Sequence, residues 1–267
     1  APAVNAAGTA VYICDKNGST FAIDASSGQK IWNFTAGVAG GGLLVNGSEL
    51  LIGAESNAFF VNIETGEQIA KVALGCKMSD NSGFAVSNDK TLAYFGAANG
   101  YIGAVDLTTH TAKTPLLAGR TSPNTIYEPV VAPNGSVFAG SKNGSVYNVK
   151  GDLSDVNWEH IHTGKAVSNT YNYSHPCVDS ENRFYITAGQ PTNTSYIFDA
   201  NGNVLDSWSY TPRRSARWAE ITTSTACSTR RSSAAATRTA CSSANTSAAS
   251  VLRAGAPTAA TSADRAA

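Results

Sequence analysis

The residues of this chain that could do chemistry are few and widely spaced. His160 and His162 are one residue apart, so on a strand both side chains leave the same face. Two imidazoles placed that way can hold a transition metal. Glu159 falls on the opposite face and no further ligand can be assigned, so the pair reads first as an exposed strand and second as a metal site. Up to Pro212 there are three cysteines, Cys14, Cys76 and Cys177, with no CxxC and no adjacent pair. That spacing excludes a zinc ribbon or a dithiol redox motif. It leaves one disulfide with a spare thiol, or three small buried hydrophobes, and the second is the expectation. His110 stands in a turn and His175 precedes Pro176, neither with an evident partner for proton transfer. Gly40-Gly41-Gly42 is not followed by the Lys-Ser/Thr of a phosphate loop. It is expected instead to let the innermost strand pass close to the channel axis. No catalytic residue is identified.

The elements that must position these residues repeat. Val11 to Trp32, VYICDKNGSTFAIDASSGQKIW, holds a short strand, an Asn17-Gly18 turn, a return strand, an Asp24-to-Gly28 turn and a third strand ending at Trp32. Asn-Gly is the strongest short hairpin signal and suggests a type I′ turn, with φ > 0 at both central residues. Similar units recur from about Leu43, Gly83, Pro129 and His175. Asn62, Asp106, roughly Asn148, and Asp199 stand where Asp24 stands, at spacings of 38, 44, 42 and 51 residues. A period of about 40–50 residues with about four short strands per repeat indicates a propeller, because such a unit cannot bury its own faces. No segment keeps a 3.6-residue period, so helices are expected to be nearly absent.

Ala22-x-Asp24-x-x-Ser27-Gly28-x-x-x-Trp32 resembles the tryptophan-docking motif of the PQQ-like, quinoprotein-type β-propeller repeat family. The resemblance spans residues 8–210. The second copy keeps Asn62, Thr65 and Gly66 but has Ala70 for Trp. The third keeps Ala104, Asp106 and Thr109 but has His110 for Gly. The fourth keeps only Trp158, and the fifth keeps Asp199 and Trp208 with a shorter turn. The resemblance implies an all-β propeller of four-stranded antiparallel blades. It implies that Asp24, Gly28, Trp32, Asn62, Gly66, Asp106, Trp158, Asp199 and Trp208 serve inter-blade docking. A parent of seven or eight blades is also implied, so five copies are expected to leave the ring incomplete.

The chain divides at Pro212. Before it stand 9 Lys, 2 Arg and 17 acidic residues, a net charge of −6, whereas after it 8 Arg, no Lys and 2 acidic residues give +6. All ten tyrosines and 23 of the 24 glycines precede the boundary, and Ala, Arg, Ser and Thr dominate the stretch after it. Residues 1–212 are read as PQQ-like propeller repeats. Residues 213–267 are read as an out-of-frame translation or a disordered tail. Read one frame over, alanine codons give mostly glycine or serine and threonine codons give Asp, Asn, Tyr or His, the composition of a further blade. The arginines have no interleaved aromatics, so a nucleic-acid partner is not expected. No apolar run approaches a membrane span. The missing initiator Met reads as a mature form or a fragment.

Sequons stand at Asn17, Asn33, Asn46, Asn134, Asn143, Asn172 and Asn193. They suggest N-glycosylation and an extracellular, periplasmic or secretory-lumen location, although four are Asn-Gly-Ser turns that turn chemistry explains alone. The functional expectation is a non-catalytic binding or scaffold module for a protein, peptide or glycan. One alternative is a fragment of a PQQ-dependent dehydrogenase, for which the family implies the quinone and Ca²⁺. The other is a lectin-like propeller stacking sugars on Tyr101, Tyr127, Tyr171 and Tyr173.

Overall fold

A computed structural model of the chain describes residues 2–37, 40–80, 82–120, 124–160, 176–188 and 194–209. These belong to one compact unit, Ala1–Ala216, and the second unit, Arg217–Ala267, lies outside the described residues, as does the reading made above of residues 213–267. The described residues form a β-propeller of five antiparallel blades, each a meander in chain order.

The first blade is β1 (Ala3–Val4), β2 (Ala10–Cys14), β3 (Ser19–Asp24) and β4 (Lys30–Thr35). The second is β5 (Gly40–Asn46), β6 (Glu49–Ala54), β7 (Asn57–Asn62) and β8 (Gln68–Ala73). The third is β9 (Ala85–Val86), β10 (Leu92–Gly96), β11 (Tyr101–Asp106) and β12 (Thr111–Ala112), with β13 (Leu116–Leu117) pairing the far end of β11. The fourth is β14 (Val130–Val131), β15 (Val137–Gly140), β16 (Val146–Val149) and β17 (Val156–His160). The fifth is β18 (Cys177–Val178), β19 (Phe184–Ala188), β20 (Thr194–Phe198) and β21 (Val204–Ser209). Among the described residues the only helical turn is a 3₁₀ turn, Ala98–Gly100.

Blades are held face to face by alternation. In β6, Leu50 and Ile52 pack with Tyr12, Ala22 and Trp32 of the first blade, while Leu51 packs with Ala93, Phe95 and Val105 of the third. Because both faces of an inner blade are covered, ELLIGA and AFFV read as continuous apolar runs rather than as alternating strands. Tyr94, Ile102 and Ala104 meet Val137, Ala139 and Tyr147 between the third and fourth blades. Phe138 stacks on Phe184 between the fourth and fifth, with ring centroids 4.8 Å apart.

The hairpin turns correct one expectation. Only Asn99-Gly100 takes φ > 0 at both residues; at Gly18, Gly47, Gly135 and Gly144 the glycine alone is left-handed. In Asp15–Ser19 the Gly18 N–H donates to the Asp15 carbonyl and the Asp15 N–H to the Ser19 carbonyl, a type I turn closed by a glycine bulge. The Asp15 carboxylate, accepting the N–H groups of Asn17 and Ser19 at 2.8 Å each, favours this longer loop. At 132–136 the Gly135 N–H donates to the Ala132 carbonyl, which puts Pro133 at the second position of a type I turn, where its fixed negative φ is favoured.

Gly42 shows why the glycine run lies where it does. A Cβ there would sit 2.8 Å from the Cα of Gly83, so two backbones of adjacent blades touch.

Candidate functional site

The turn between the third and fourth strands has the same construction in three blades and a one-residue-shorter version in the fifth. The Asp24 carboxylate accepts the Ser26 and Ser27 N–H groups at 3.0 and 2.8 Å, and Asn62 accepts those of Glu64 and Thr65 at 2.8 and 3.0 Å. Asp106 holds Thr108 and Thr109, and Asp199 holds Asn201 and Asn203. Asn148 departs from this role. It lies 2% exposed within β16 and bonds the Ser136 hydroxyl and the Asn157 amide, because the fourth blade's turn is carried further on, at Lys150–Leu153.

The Ser26 hydroxyl and the Ser27 N–H hold the Asp24 carboxyl down at about 2, below its usual value. Asp106 is lowered first by the Thr109 N–H, and Asp199 first by the Asn203 side chain. A carboxyl whose folded pKa is depressed stabilises the fold fully above its unfolded pKa, about 3.9, and that contribution is lost as pH falls through the folded value. We therefore expect urea midpoints that are flat from pH 7 to about pH 5 and that fall between about pH 4 and pH 2. Midpoints unchanged down to pH 2 would contradict this assignment.

The tryptophans cross from one blade to the next. The Trp32 indole N–H donates to the Ile63 carbonyl at 2.9 Å, and the ring lies flat on Gly66, where a Cβ would come within 2.7 Å of it. Trp158 does the same to the fifth blade, donating to the Ala200 carbonyl at 2.9 Å and covering Gly202, again with 2.7 Å to a notional Cβ. A turn is thus the acceptor of the preceding blade's Trp and not of its own: Trp32 rests on Gly66, while a Cβ at Gly28 would meet nothing within 4 Å. β-bulges at Ala22/Ile23, Phe60/Val61, Asn148/Val149 and Ile197/Phe198 set Trp32, Ala70, Trp158 and Asp206 opposite the residue before the bulge. The docking position of the fifth blade is thus held by Asp206, and Trp208, expected to dock, pairs two residues further on with Ser195, because the fifth blade's turn is shorter.

The two junctions without Trp are built in the opposite sense. Ala70 pairs with Phe60 where Trp32 pairs with Ala22. His110 fills the vacated volume from the third blade, its ring 4.0 Å from that of Phe60 and its Nε2 3.0 Å from a Glu49 carboxylate oxygen. Leu153 occupies the corresponding place between the third and fourth blades, 7% exposed, beneath the Tyr94 hydroxyl's 2.6 Å bond to the Gly151 carbonyl. His110 and Leu153 take φ of 53° and 59°, where Gly28, Gly66 and Gly202 take 70°, 76° and 86°. In the sequence His110 and Ala70 stand as two separate departures from the motif; here they are one compensated exchange.

The remaining candidates are dispersed. His160 ends β17 with its ring 5.0 Å from Phe198, edge to face, and His162 lies outside the described residues. Among the described residues no three His, Cys, Asp or Glu side chains converge. Cys14, Cys76 and Cys177 are free thiols; only Cys14 and Cys76 are half-buried, and Cys177 is exposed because it opens the inner edge of the fifth blade. This corrects the expectation of three buried cysteines. Asn17, Asn33 and Asn134 are exposed, Asn46 and Asn143 half-buried, and Asn172 and Asn193 lie outside the described residues. Tyr101 and Tyr127 are half-buried, and Tyr171 and Tyr173 lie outside.

Two clefts remain. One, of about 350 Å³, opens beside the innermost strands β9 and β14 and is lined by Phe84, Val86, Glu128, Val131 and Pro176. The other, of about 190 Å³, lies at the end of the blades opposite the docking turns, between Lys77, Ser79, Asp80, Thr125, Tyr127 and Lys142. Its loops are tied by backbone bonds: the Ala98 N–H to the Lys77 carbonyl, the Lys142 N–H to the Thr125 carbonyl (both 2.8 Å) and the Ser79 N–H to the Gly96 carbonyl at 2.9 Å. The cleft is thus a polar frame on tied loops, with the ammonium groups of Lys77 and Lys142 and the Asp80 carboxylate at its rim, Lys77 lying 3.4 Å from a Glu55 carboxylate oxygen.

No protein-family profile matches this sequence, and no curated protein does. Among solved structures the fold is similar to hydrazine synthase of Kuenenia stuttgartiensis, with a TM-score of 0.59 and 17% identity over 76% of this chain and 64% of that one. It is also similar to BamB of Moraxella catarrhalis, with a TM-score of 0.47 and 14% identity over 79% of this chain and 76% of that one. The chain thus spans less than two thirds of the hydrazine synthase chain, and at this identity the likeness concerns the fold, a β-propeller.

Proposed function

We propose that this propeller is of the PQQ-like repeat class, in a non-catalytic branch, and that it binds a protein or peptide segment in the polar cleft at its loop-bearing end. The Trp–Gly junctions at Trp32/Gly66 and Trp158/Gly202 support the class. The observation that carries the binding reading is the cleft's preorganised frame, in which Lys77 and Lys142 flank Thr125 and Tyr127 on loops fixed by main-chain bonds. Such a frame suits a carboxylate-bearing segment, which Lys142 can meet directly and Lys77 by exchange with Glu55, since the loops that present them need no ordering on binding. The exposed sequons Asn17, Asn33 and Asn134 support an extracellular, periplasmic or luminal location. Among the described residues no helix is long and apolar enough to cross a membrane.

Selection of a displayed random-peptide library on the full chain tests this. Enriched peptides are expected to carry Asp or Glu, and Lys142→Glu is expected to weaken them about tenfold, the effect of about 1.4 kcal/mol. Peptides indifferent to both Lys142→Glu and Lys77→Glu would sink the reading. So would signals confined to a glycan array, or dye-linked alcohol oxidation appearing on addition of pyrroloquinoline quinone with Ca²⁺.

A further inference from the structure

The wider cleft, beside β9 and β14, has one charged side chain in its lining, Glu128, and that side chain is held in place from three directions. Pro129 follows it, and a residue before proline is pressed into extended backbone. The Tyr127 N–H donates to the Gly140 carbonyl at 2.9 Å, tying the segment ahead of β14 to its own blade. The carboxylate stands over Gly83 of the third blade, where a Cβ would come 2.7 Å from the carboxylate carbon. Gly83 is not among the left-handed glycines, so its missing side chain answers this approach and not a turn. Gly83 is itself fixed: the Ser82 hydroxyl donates to its carbonyl at 3.0 Å and accepts the Gly96 N–H at 2.8 Å.

The rest of the lining is apolar. The Phe84 ring meets Phe95 edge to face, with centroids 6.2 Å apart, and reaches over Gly42 and Gly53 of the second blade, where a Cβ would lie 3.2 and 3.1 Å from it. Val86, Val131 and Pro176 complete the wall. No Lys, Arg or His lines the cleft among the described residues, so an anion finds no partner there, in contrast to the polar cleft with Lys77 and Lys142. A metal ion finds only one carboxylate. A neutral apolar ligand would take water from that carboxylate and return no hydrogen bond. We infer that this cleft binds a small organic cation, its ammonium group paired with Glu128 and its apolar body lying against Phe84, Val86, Val131 and Pro176. The volume of about 350 Å³ is at the lower end for small-molecule sites, which suits a body the size of an aromatic ring. The net charge of −6 up to Pro212 draws cations toward the repeats. The two clefts share no lining residue, and the inference does not rest on what the polar one binds.

Benzylamine, an ammonium ion at neutral pH, is the probe, and benzyl alcohol is its uncharged counterpart. Titration of the isotope-labelled full chain with benzylamine is expected to shift the amide signals of Phe84, Val86 and Val131 and to saturate below about 10 mM. Benzyl alcohol is expected to bind about tenfold more weakly, because it offers the carboxylate no charged donor. Added salt should weaken the amine and leave the alcohol unchanged. Glu128→Gln keeps the shape and removes the charge, and it should bind the amine no better than the parent binds the alcohol. Gly83→Ala keeps the charge but displaces the carboxylate, and it should weaken the amine alone. Circular dichroism establishes that both variants fold; if neither did, the comparison of amine with alcohol on the parent chain decides. Equal affinity for amine and alcohol overturns the inference, as does benzylamine binding that Glu128→Gln leaves unchanged. Shifts centred on Thr125 and Lys142, or no saturation below about 10 mM, also overturn it.

Discussion

Trp32→Ala is expected to lower the unfolding free energy by about 3–5 kcal/mol, the usual cost of truncating a large buried aromatic. Trp32 is 7% exposed, packs 5.7 Å from Tyr12 and donates to the Ile63 carbonyl, which the Tyr12 hydroxyl also reaches at 3.2 Å. Truncation opens a cavity over Gly66 and removes a donor to that carbonyl. In a repeat array the stability of a blade resides largely in its interface with the neighbour. The first blade should therefore melt before the rest, and amide exchange in β2 and β3 should accelerate more than in β15 and β16. Trp208→Ala is the control: the same residue type on the fourth strand of its blade, but 39% exposed and two residues beyond the docking position, which Asp206 holds in the fifth blade. At concentrations where the chain is monomeric its cost should stay within about 0.5 kcal/mol. Equal urea midpoints for the two variants would show that the docking geometry contributes nothing to stability.

The second large effect is a coupling. Ala70→Trp drives an indole into the volume held by the His110 ring, and overpacking of this kind costs about 1–3 kcal/mol. His110→Gly empties that volume and removes the contacts to Phe60 and Glu49, although it also relieves a φ of +53° that a side chain rarely adopts. Together the two changes convert the junction to the Trp–Gly class seen at Trp32/Gly66. The double variant should be more stable than the sum of the singles by about 1–3 kcal/mol, the range measured for residues that share one space. Strict additivity in the cycle would mean that His110 and the docking Trp do not compete for the same site.

Much of the architecture is legible along the chain. Strands such as AVYIC and STFAID, the Asn-Gly and Asp-x-x-x-Gly turns, and a repeat of propeller-blade length place five blades with their limits close to where they fall. Turn type is less legible. The same Asn-Gly pair closes a type I′ turn at Asn99-Gly100 but a bulged type I turn at Asn17-Gly18, because Asp15 competes for the backbone donors. The polar cleft escapes a linear reading altogether. Lys77, Thr125 and Lys142 stand on three loops far apart in the sequence and meet only because the loops of successive blades end side by side. No spacing rule connects them. A lysine following a fourth strand or within an Asn-Gly turn also reads as ordinary surface.

The sequence by itself determines what each unit is: a short antiparallel meander whose faces cannot be covered from within, and hence an element of a propeller. Strand propensity and turn chemistry act over a few residues, so they are written in local composition. Only the tertiary structure decides which partner each motif serves. Trp32 belongs to Gly66 rather than to its own Gly28, and His110 answers Ala70 across a blade boundary. The reason is geometric. A docking side chain leaves the sheet that encodes it and is satisfied on the next one, so the complement of each motif lies one repeat away.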